Sequence, residues 1–388
     1  MDAQSGKSHV LVVGAGPAGA AAGIVLARAG IDVAVVDRAR FPRDKTCGDA
    51  ISGGAMRVLD ELGLGHEVRA TAHAVVNRAA AVFPDGTRID RAYDPPGCIV
   101  PRLAFDDVLR RALERAGARV LEGRHVRRLT RDGDAVSGAE GTGFAWRAPI
   151  VIAADGHGSV GIAALGQPRV RGRHLGLSTT AYYRGMHFPF GEDVAEHIFA
   201  TDLPYGYAWI FPAVAGIANV GVYLTQDVYR GQAEPLAELL DRFVARHPDR
   251  FVGAERVGTP RTWSLPLAPP TARTSAPGLL FAGDAGRFID PLTGEGIWQA
   301  LHTGVLAGRI AAEATLGGGL TRALRLRFDL ACARRISLPS VGKAATQSAL
   351  RWIVRSGLYR TPPVRAALAW GYAGEVLEMS RQAGPGSV

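Results

Sequence analysis

The segment Gly14-Ala-Gly16-Pro-Ala-Gly19, set directly behind the β-rich run Val10–Val13, leaves this chain few folds to choose from. Gly14 permits a tight strand-to-helix turn, and Gly16 lets the backbone approach a pyrophosphate. Gly19, Gly23 and Ala27 follow at four-residue spacing, which predicts a helix whose bare face presses on a sheet. The N-terminus of such a helix offers free N–H groups and the positive end of its dipole to phosphates. A second strand, Asp32–Val36, ends at Asp37, 23 residues after Gly14. A carboxylate there accepts hydrogen bonds from ribose hydroxyls and repels a 2′-phosphate. Strand, turn, helix, strand and acid in this order predict a Rossmann-type dinucleotide unit. Its cofactor-binding residues are Gly14, Gly16, Gly19, Asp37 and the adjoining Arg38. This motif alone does not separate FAD from NAD.

Two later segments resemble the flavin hydroxylase superfamily. One is Val151-Ile-Ala-Ala-Asp155-Gly156-His-Gly158-Ser159, a strand running into an Asp-Gly turn; the other is Gly278-Leu-Leu-Phe-Ala-Gly283-Asp284-Ala-Gly286. The resemblance implies FAD as cofactor, with Asp284 on its ribityl or ribose part and Asp155 and Gly283 beside it. Next comes Asp290-Pro291-Leu-Thr293-Gly294-Glu-Gly296, then a helical run from Ile297 to Ala311. Gly294 and Gly296 shape the turn so that the helix N-terminus can face the flavin pyrimidine ring and stabilise negative charge there. Pro101-Arg102-Leu103 opens a helix over Leu103–Ala116 ahead of a strand at Arg119–Glu122. In the superfamily an arginine at this point contacts FAD, which implies that role for Arg102.

The loop Phe41-Pro42-Arg43-Asp44-Lys45-Thr46-Cys47-Gly48-Asp49 resembles the Pro-Cys-Gly loop of geranylgeranyl reductases, with Thr46 in place of the proline. The resemblance places Cys47 beside the flavin and substrate as the catalytic candidate, shaping the cavity or donating a proton. Tyr207-Ala-Trp209-Ile-Phe211-Pro212, followed by Gly221, resembles the same family's YxWxFP…GxG signature, with Tyr223 where the second glycine stands. Strand alternation puts Tyr207, Trp209 and Phe211 on one face. The wall they form suits a polyprenyl chain or another extended apolar substrate, and Tyr223 narrows the space. The same stripe could also pack inside a sheet core.

The expected architecture is α/β: a Rossmann-type FAD-binding domain (1–72, 98–160 and 275–330), an inserted β-rich substrate domain (73–97 and 161–274) and a helical C-terminal region (331–388). Strand patterns fall at Ala74–Phe83, Leu175–Tyr183, Tyr205–Leu224 and Arg256–Leu265, while Pro339 and Pro362–Pro363 mark breaks between helices. The uncharged run Leu203–Gln226 is interrupted by Pro204, Pro212 and Gly216, which predicts two strands and a turn rather than a membrane span. No apolar signal core precedes the first strand, and a cytoplasmic protein is expected.

The net charge of +9 is concentrated in Thr321–Val388, which holds 11 basic and three acidic residues. With no basic excess on the dinucleotide-binding body, nucleic acid is not an expected partner. The basic C-terminal region is either a solvated face or a contact to an anionic membrane surface. Three cysteines are too few for an iron–sulfur cluster, and no metal site is expected. The halogenase motif Trp-x-Trp-x-Ile-Pro is absent. The expected function is FAD-dependent reduction of a carbon–carbon double bond in an isoprenoid or other apolar substrate. NAD(P)H or another donor would dock transiently, since there is no second dinucleotide motif. A flavin monooxygenase is the alternative, a flavin-loaded lipid carrier a third. The oligomeric state stays open.

Overall fold

The computed structural model describes residues 4–200, 203, 206–231, 234–268 and 273–369. At its centre six strands lie in the order Ser275–Ala276, Leu279–Phe281, Ile150–Ala153, Val10–Val13, Val33–Val36 and Arg119–Leu121. All but the first pairing are parallel. The central strands read as unbroken apolar runs because both faces are covered. Val10, Val12, Val33 and Val35 face a helical layer, whereas Leu11, Val13, Ala34 and Val36 face a second, smaller sheet.

The helical layer is held at backbone distance. A Cβ at Gly304 in helix Ile297–Leu316 would lie 2.2 Å from the carbonyl oxygen of Ala18 in helix Pro17–Arg28. A Cβ at Gly23 would come within 2.8 Å of Val35 and 2.5 Å of Leu113, which lies in helix Arg102–Arg115. The bare helix face predicted from the glycine spacing therefore packs on the sheet and on helix Arg102–Arg115, while Ala18, Ala21, Ala22 and Val25 receive helix Ile297–Leu316.

The smaller sheet was not expected. It has the order Gln4–Lys7, Phe144–Arg147, Ala135–Gly141 and Val126–Asp132. Buried Trp146 anchors it, donating from Nε1 to Ser8 Oγ at 2.9 Å.

The third sheet has eight strands: Glu255–Pro266, Leu175–Arg184, Ile217–Thr225, Gly206–Pro212, Val194–Ile198, Ala74–Val82, Arg88–Ile99 and Ala50–Ile51. The uncharged run is thus an antiparallel pair joined at Val214–Gly216, although Tyr205 lies outside the described residues. Among the described residues no helix is long and apolar enough to cross a membrane. One face of this sheet packs Ala208, Ile210, Val220 and Val222 against helix Leu236–Ala245. The opposite face carries Trp209, Phe211 and Tyr223 and turns toward the Rossmann unit. The two-residue strand Ala50–Ile51 joins this sheet although it falls inside the segment 1–72 assigned to the cofactor unit.

The C-terminal region is helical as far as residue 369, but Pro339 does not break it. Helix Arg322–Cys332 runs through a π-helical turn at Ala333–Ser337 into helix Leu338–Ser356. Proline removes an N–H and collides with the carbonyl four residues back. Here the widened turn lies immediately ahead of Pro339, which occupies the first turn of the next segment. Gly357, in the left-handed conformation, ends that helix. Tyr359 then stacks on Phe83 of the large sheet, centroids 5.0 Å apart.

Gly304→Ala places a methyl group against the Ala18 carbonyl and is expected to cost about 1–3 kcal/mol, lowering the thermal midpoint. Gly342→Ala, with nothing within 4 Å of its added carbon, should leave the midpoint unchanged or raise it. Thermal unfolding of the pair checks how tightly the two helices are locked.

Candidate active site

A single cavity of about 1510 Å³ runs from the Rossmann turn to the aromatic face of the large sheet. It exceeds the roughly 300–1,000 Å³ of an ordinary ligand pocket, leaving room for a dinucleotide and a second ligand. Gly14, Gly16, Ala18, Asp37, Arg38 and Ala39 line one end. Gly14 has φ +102°, and a Cβ there would stand 2.3 Å from the Ala154 carbonyl oxygen. At Gly16 a Cβ would meet only Arg43 Nη2, at 3.6 Å, so the bare backbone faces open space. This cradle fits a pyrophosphate at the helix N-terminus. Asp37 already accepts from the backbone N–H groups of Ala15 and Ala39, both at 2.8 Å. It pins the glycine turn, and its remaining lone pairs are free for ribose hydroxyls.

Asp155, Gly283 and Asp284 line the middle of the cavity. Asp155 Oδ2 accepts from Val160 N at 2.8 Å and caps the short helix Val160–Ala164, so much of its role is to hold the turn. Burial pushes its carboxyl above the usual range. Asp284 lies 3.6 Å from Lys45 Nζ.

At the next stretch the turn Asp290–Gly296 is wound around one carboxylate. Asp290 Oδ1 accepts from Leu292 N (2.8 Å) and Thr293 N (3.1 Å), and Oδ2 accepts from Lys343 Nζ at 2.5 Å. Gly294 takes φ +69°, and Gly296 caps the 20-residue helix Ile297–Leu316, whose positive dipole end opens on the cavity.

Beyond it stands the aromatic wall. Neighbouring centroids are 6.3 Å apart for Tyr207 and Trp209, 6.1 Å for Trp209 and Phe211, and 5.2 Å for Tyr207 and Tyr223. All four residues line the cavity, which favours a wall over a sealed core. The Tyr207 hydroxyl donates to the Thr293 carbonyl, tying the wall to the glycine turn. A Cβ at Gly48 would lie 3.3 Å from the Phe211 ring, so the Cys47–Gly48 backbone rests on the other end of the wall.

Cys47 lines the cavity between two groups. The Asp49 N–H donates to its sulfur, and the Arg102 guanidinium hydrogen-bonds and faces it. Burial nonetheless raises its pKa, with Arg102 opposing the rise, and the thiol keeps its proton at neutral pH. Arg102 is itself buried and committed through Nε and Nη2 to Asp106, at 2.6 and 2.7 Å. Its side chain therefore serves the cysteine loop as well as lining the cavity.

Sequence reasoning missed the polar node beneath this loop. Buried Asp49, at φ +60°, accepts on Oδ2 from the Tyr182 hydroxyl and from Asn219 Nδ2 (2.9 Å). Asn219 Nδ2 also donates to the Cys47 carbonyl at 2.8 Å, while Asn219 Oδ1 accepts from Trp209 Nε1 at 2.9 Å. The one available signal was a lone amide in the apolar strand Ile217–Thr225.

The profile of the family described as FAD binding domain matches residues 7–324. The chain belongs to that family. It is 32% identical over 353 residues to a menaquinone reductase of Mycobacterium tuberculosis, covering 86% of this chain and 84% of that protein. It is 35% identical over 318 residues to digeranylgeranylglycerophospholipid reductase 1 of Methanopyrus kandleri, covering 79% and 80%. Its fold is similar to a geranylgeranyl bacteriochlorophyll reductase-like protein of Thermoplasma acidophilum, with TM-score 0.81 at 23% identity over 91% of both chains. The flavin-dependent brominase Bmp2 shares the fold at TM-score 0.77 and 20% identity, covering 95% of this chain and 94% of that one. This FAD-binding family member is an FAD-dependent oxidoreductase of the geranylgeranyl reductase type.

Burial pushes the Asp49 carboxyl up to about 6, against the hydrogen bonds from Tyr182 and Asn219. Between about pH 4 and 6 the folded chain keeps a proton that the unfolded chain has lost, so this group's contribution to stability falls as pH rises through that window. Asp49→Asn should therefore gain on wild type by about 3 kcal/mol from pH 4 to pH 7. Denaturant unfolding of both proteins across that range checks the sign, and a constant difference would contradict it.

Proposed function

We propose that this flavoenzyme saturates carbon–carbon double bonds of an isoprenoid lipid, with Cys47 as proton donor. The observation that carries the reading is the continuity of the cavity: one space joins the glycine cradle, the Cys47 thiol and the aromatic wall. When bound, FAD supplies the hydride. Gly14, Gly16, Asp37 and Arg38 would hold its adenosine and pyrophosphate portion, with Gly19 packed behind the turn against the Gly14 carbonyl, and Arg102, Asp155, Gly283, Asp284, Gly294 and Gly296 would surround the rest. NAD(P)H or another donor docks transiently.

Tyr207, Trp209, Phe211 and Tyr223 hold the chain against the site and exclude water. Cys47 gives its proton to the carbon next to the one that receives hydride. The thiolate left behind is stabilised by the Arg102 guanidinium and the Asp49 N–H, which is why a raised pKa at rest does not block the transfer. The wall continues into Phe83, Ile89, Phe199, Leu350 and Val354, which favour an extended apolar tail. The relatives named for menaquinone and digeranylgeranylglycerophospholipid reduction support a prenyl substrate.

Dithionite-reduced enzyme, incubated anaerobically with a polyprenyl panel, should yield products two hydrogens heavier per saturated bond. Cys47→Ser should lower turnover about a hundredfold at unchanged FAD content, with buried Cys332→Ser as control. No product from any polyprenyl chain would overturn the reading.

The same reading extends to the basic C-terminal helices, which we assign to an anionic membrane surface. Helix Leu338–Ser356 lines the cavity with Leu350 and Val354 and exposes Leu338, Val341 and Trp352 outward. Leu326 and Leu330 extend the exposed apolar row, with Arg322 and Arg334 exposed beside it. A lipid substrate then enters from the bilayer under the helix. Leu330→Glu with Leu338→Glu should weaken sedimentation with phosphatidylglycerol vesicles while sparing turnover of a short, detergent-dispersed prenyl substrate. Unchanged sedimentation would leave these helices a solvated face.

A further inference from the structure

His197 is a polar side chain inside the apolar part of the cavity with no hydrogen-bond partner among the described residues. It stands in strand Val194–Ile198, directly across from Trp209 in strand Gly206–Pro212. Its ring centroid is 5.3 Å from Tyr207 and 5.3 Å from Phe211, so it completes the aromatic wall on the strand beyond Trp209. Burial, with the charge of Arg91 adding to it, pushes the imidazole down to about 4. The ring is therefore neutral at physiological pH, with one donor and one acceptor nitrogen.

Nδ1 is sealed by its neighbours, whereas the side chain as a whole lines the cavity. Nε2 is thus the atom that a cavity occupant reaches. A neutral imidazole brings no charge for a phosphate, and the rings of Tyr207 and Phe211, inclined to it by 59° and 67°, give an aromatic surround that another planar group can join.

From this we infer that His197 is a specificity-determining residue, hydrogen-bonding through Nε2 to an uncharged oxygen, carbonyl or hydroxyl, on a planar ring borne by an otherwise apolar substrate. The inference deepens the isoprenoid reading by naming a quinone-type head, and it rests on that reading for the prenyl tail.

The test uses oxidised, FAD-loaded enzyme and no turnover. Menadione, a naphthoquinone without a prenyl tail, and squalene, a polyprenyl hydrocarbon without oxygen, are titrated against the flavin absorbance of wild type, His197→Phe and His197→Gln. His197→Phe should bind menadione about tenfold more weakly, and His197→Gln, which restores a donor and an acceptor, should recover most of the loss. Squalene should bind all three proteins alike. The inference is overturned if wild type does not bind menadione, if His197→Phe binds it as wild type does, or if menadione and squalene weaken together. Failure of anaerobic polyprenyl reduction would instead sink the reductase reading, and this titration would still report on His197.

Discussion

The candidate active site is organised around the side-chain amide of Asn219. Its oxygen accepts from Thr180 Oγ1 at 2.7 Å and Trp209 Nε1 at 2.9 Å, and its nitrogen donates to the Cys47 carbonyl and to Asp49. A buried amide with both ends satisfied on several sides has one orientation, and it imposes that orientation on its partners. The partners come from different parts of the molecule. Trp209 and Thr180 belong to the large sheet; Cys47 and Asp49 belong to the loop that leaves the Rossmann strand Val33–Val36. The distance between the Cys47 thiol and the aromatic wall is therefore set by hydrogen bonds rather than by apolar packing alone.

Local backbone demands made much of this fold legible in the sequence. Gly14, Gly283 and Gly294 occupy left-handed conformations, and a Cβ at Gly19 would stand 1.7 Å from the Gly14 carbonyl oxygen. Such requirements leave glycines at fixed spacings whatever the rest of the chain does. The small sheet was illegible because Gln4–Lys7 has no apolar alternation and exists as a strand only through its parallel pairing with Phe144–Arg147. Pro339 misled for a related reason: the π-helical turn at Ala333–Ser337 lies just ahead of it, and no local sequence pattern marks that turn. Asp49, Tyr182, Asn219 and His197 were missed because their roles arise from contacts across the fold. Asp49 and Asn219 meet from 170 positions apart, and no motif at either position announces it.

The C-terminal helices gain a specific mechanical place from the same contacts. Two of their ties to the rest bear directly on the cavity. Lys343 reaches the turn at Asp290, which lines the cavity, and Tyr359 stacks on Phe83 at the edge of the aromatic cavity. The first is a partly exposed ion pair, of modest strength but demanding in direction; the second is an apolar anchor that tolerates tilt. Helix Leu338–Ser356 buries only Ser340 fully, in contrast to the 13 buried residues of helix Ile297–Leu316. Lys343 thus joins the helix to a carboxylate that already organises the turn lining the cavity, so the position of the helix and the shape of that turn are coupled through one residue.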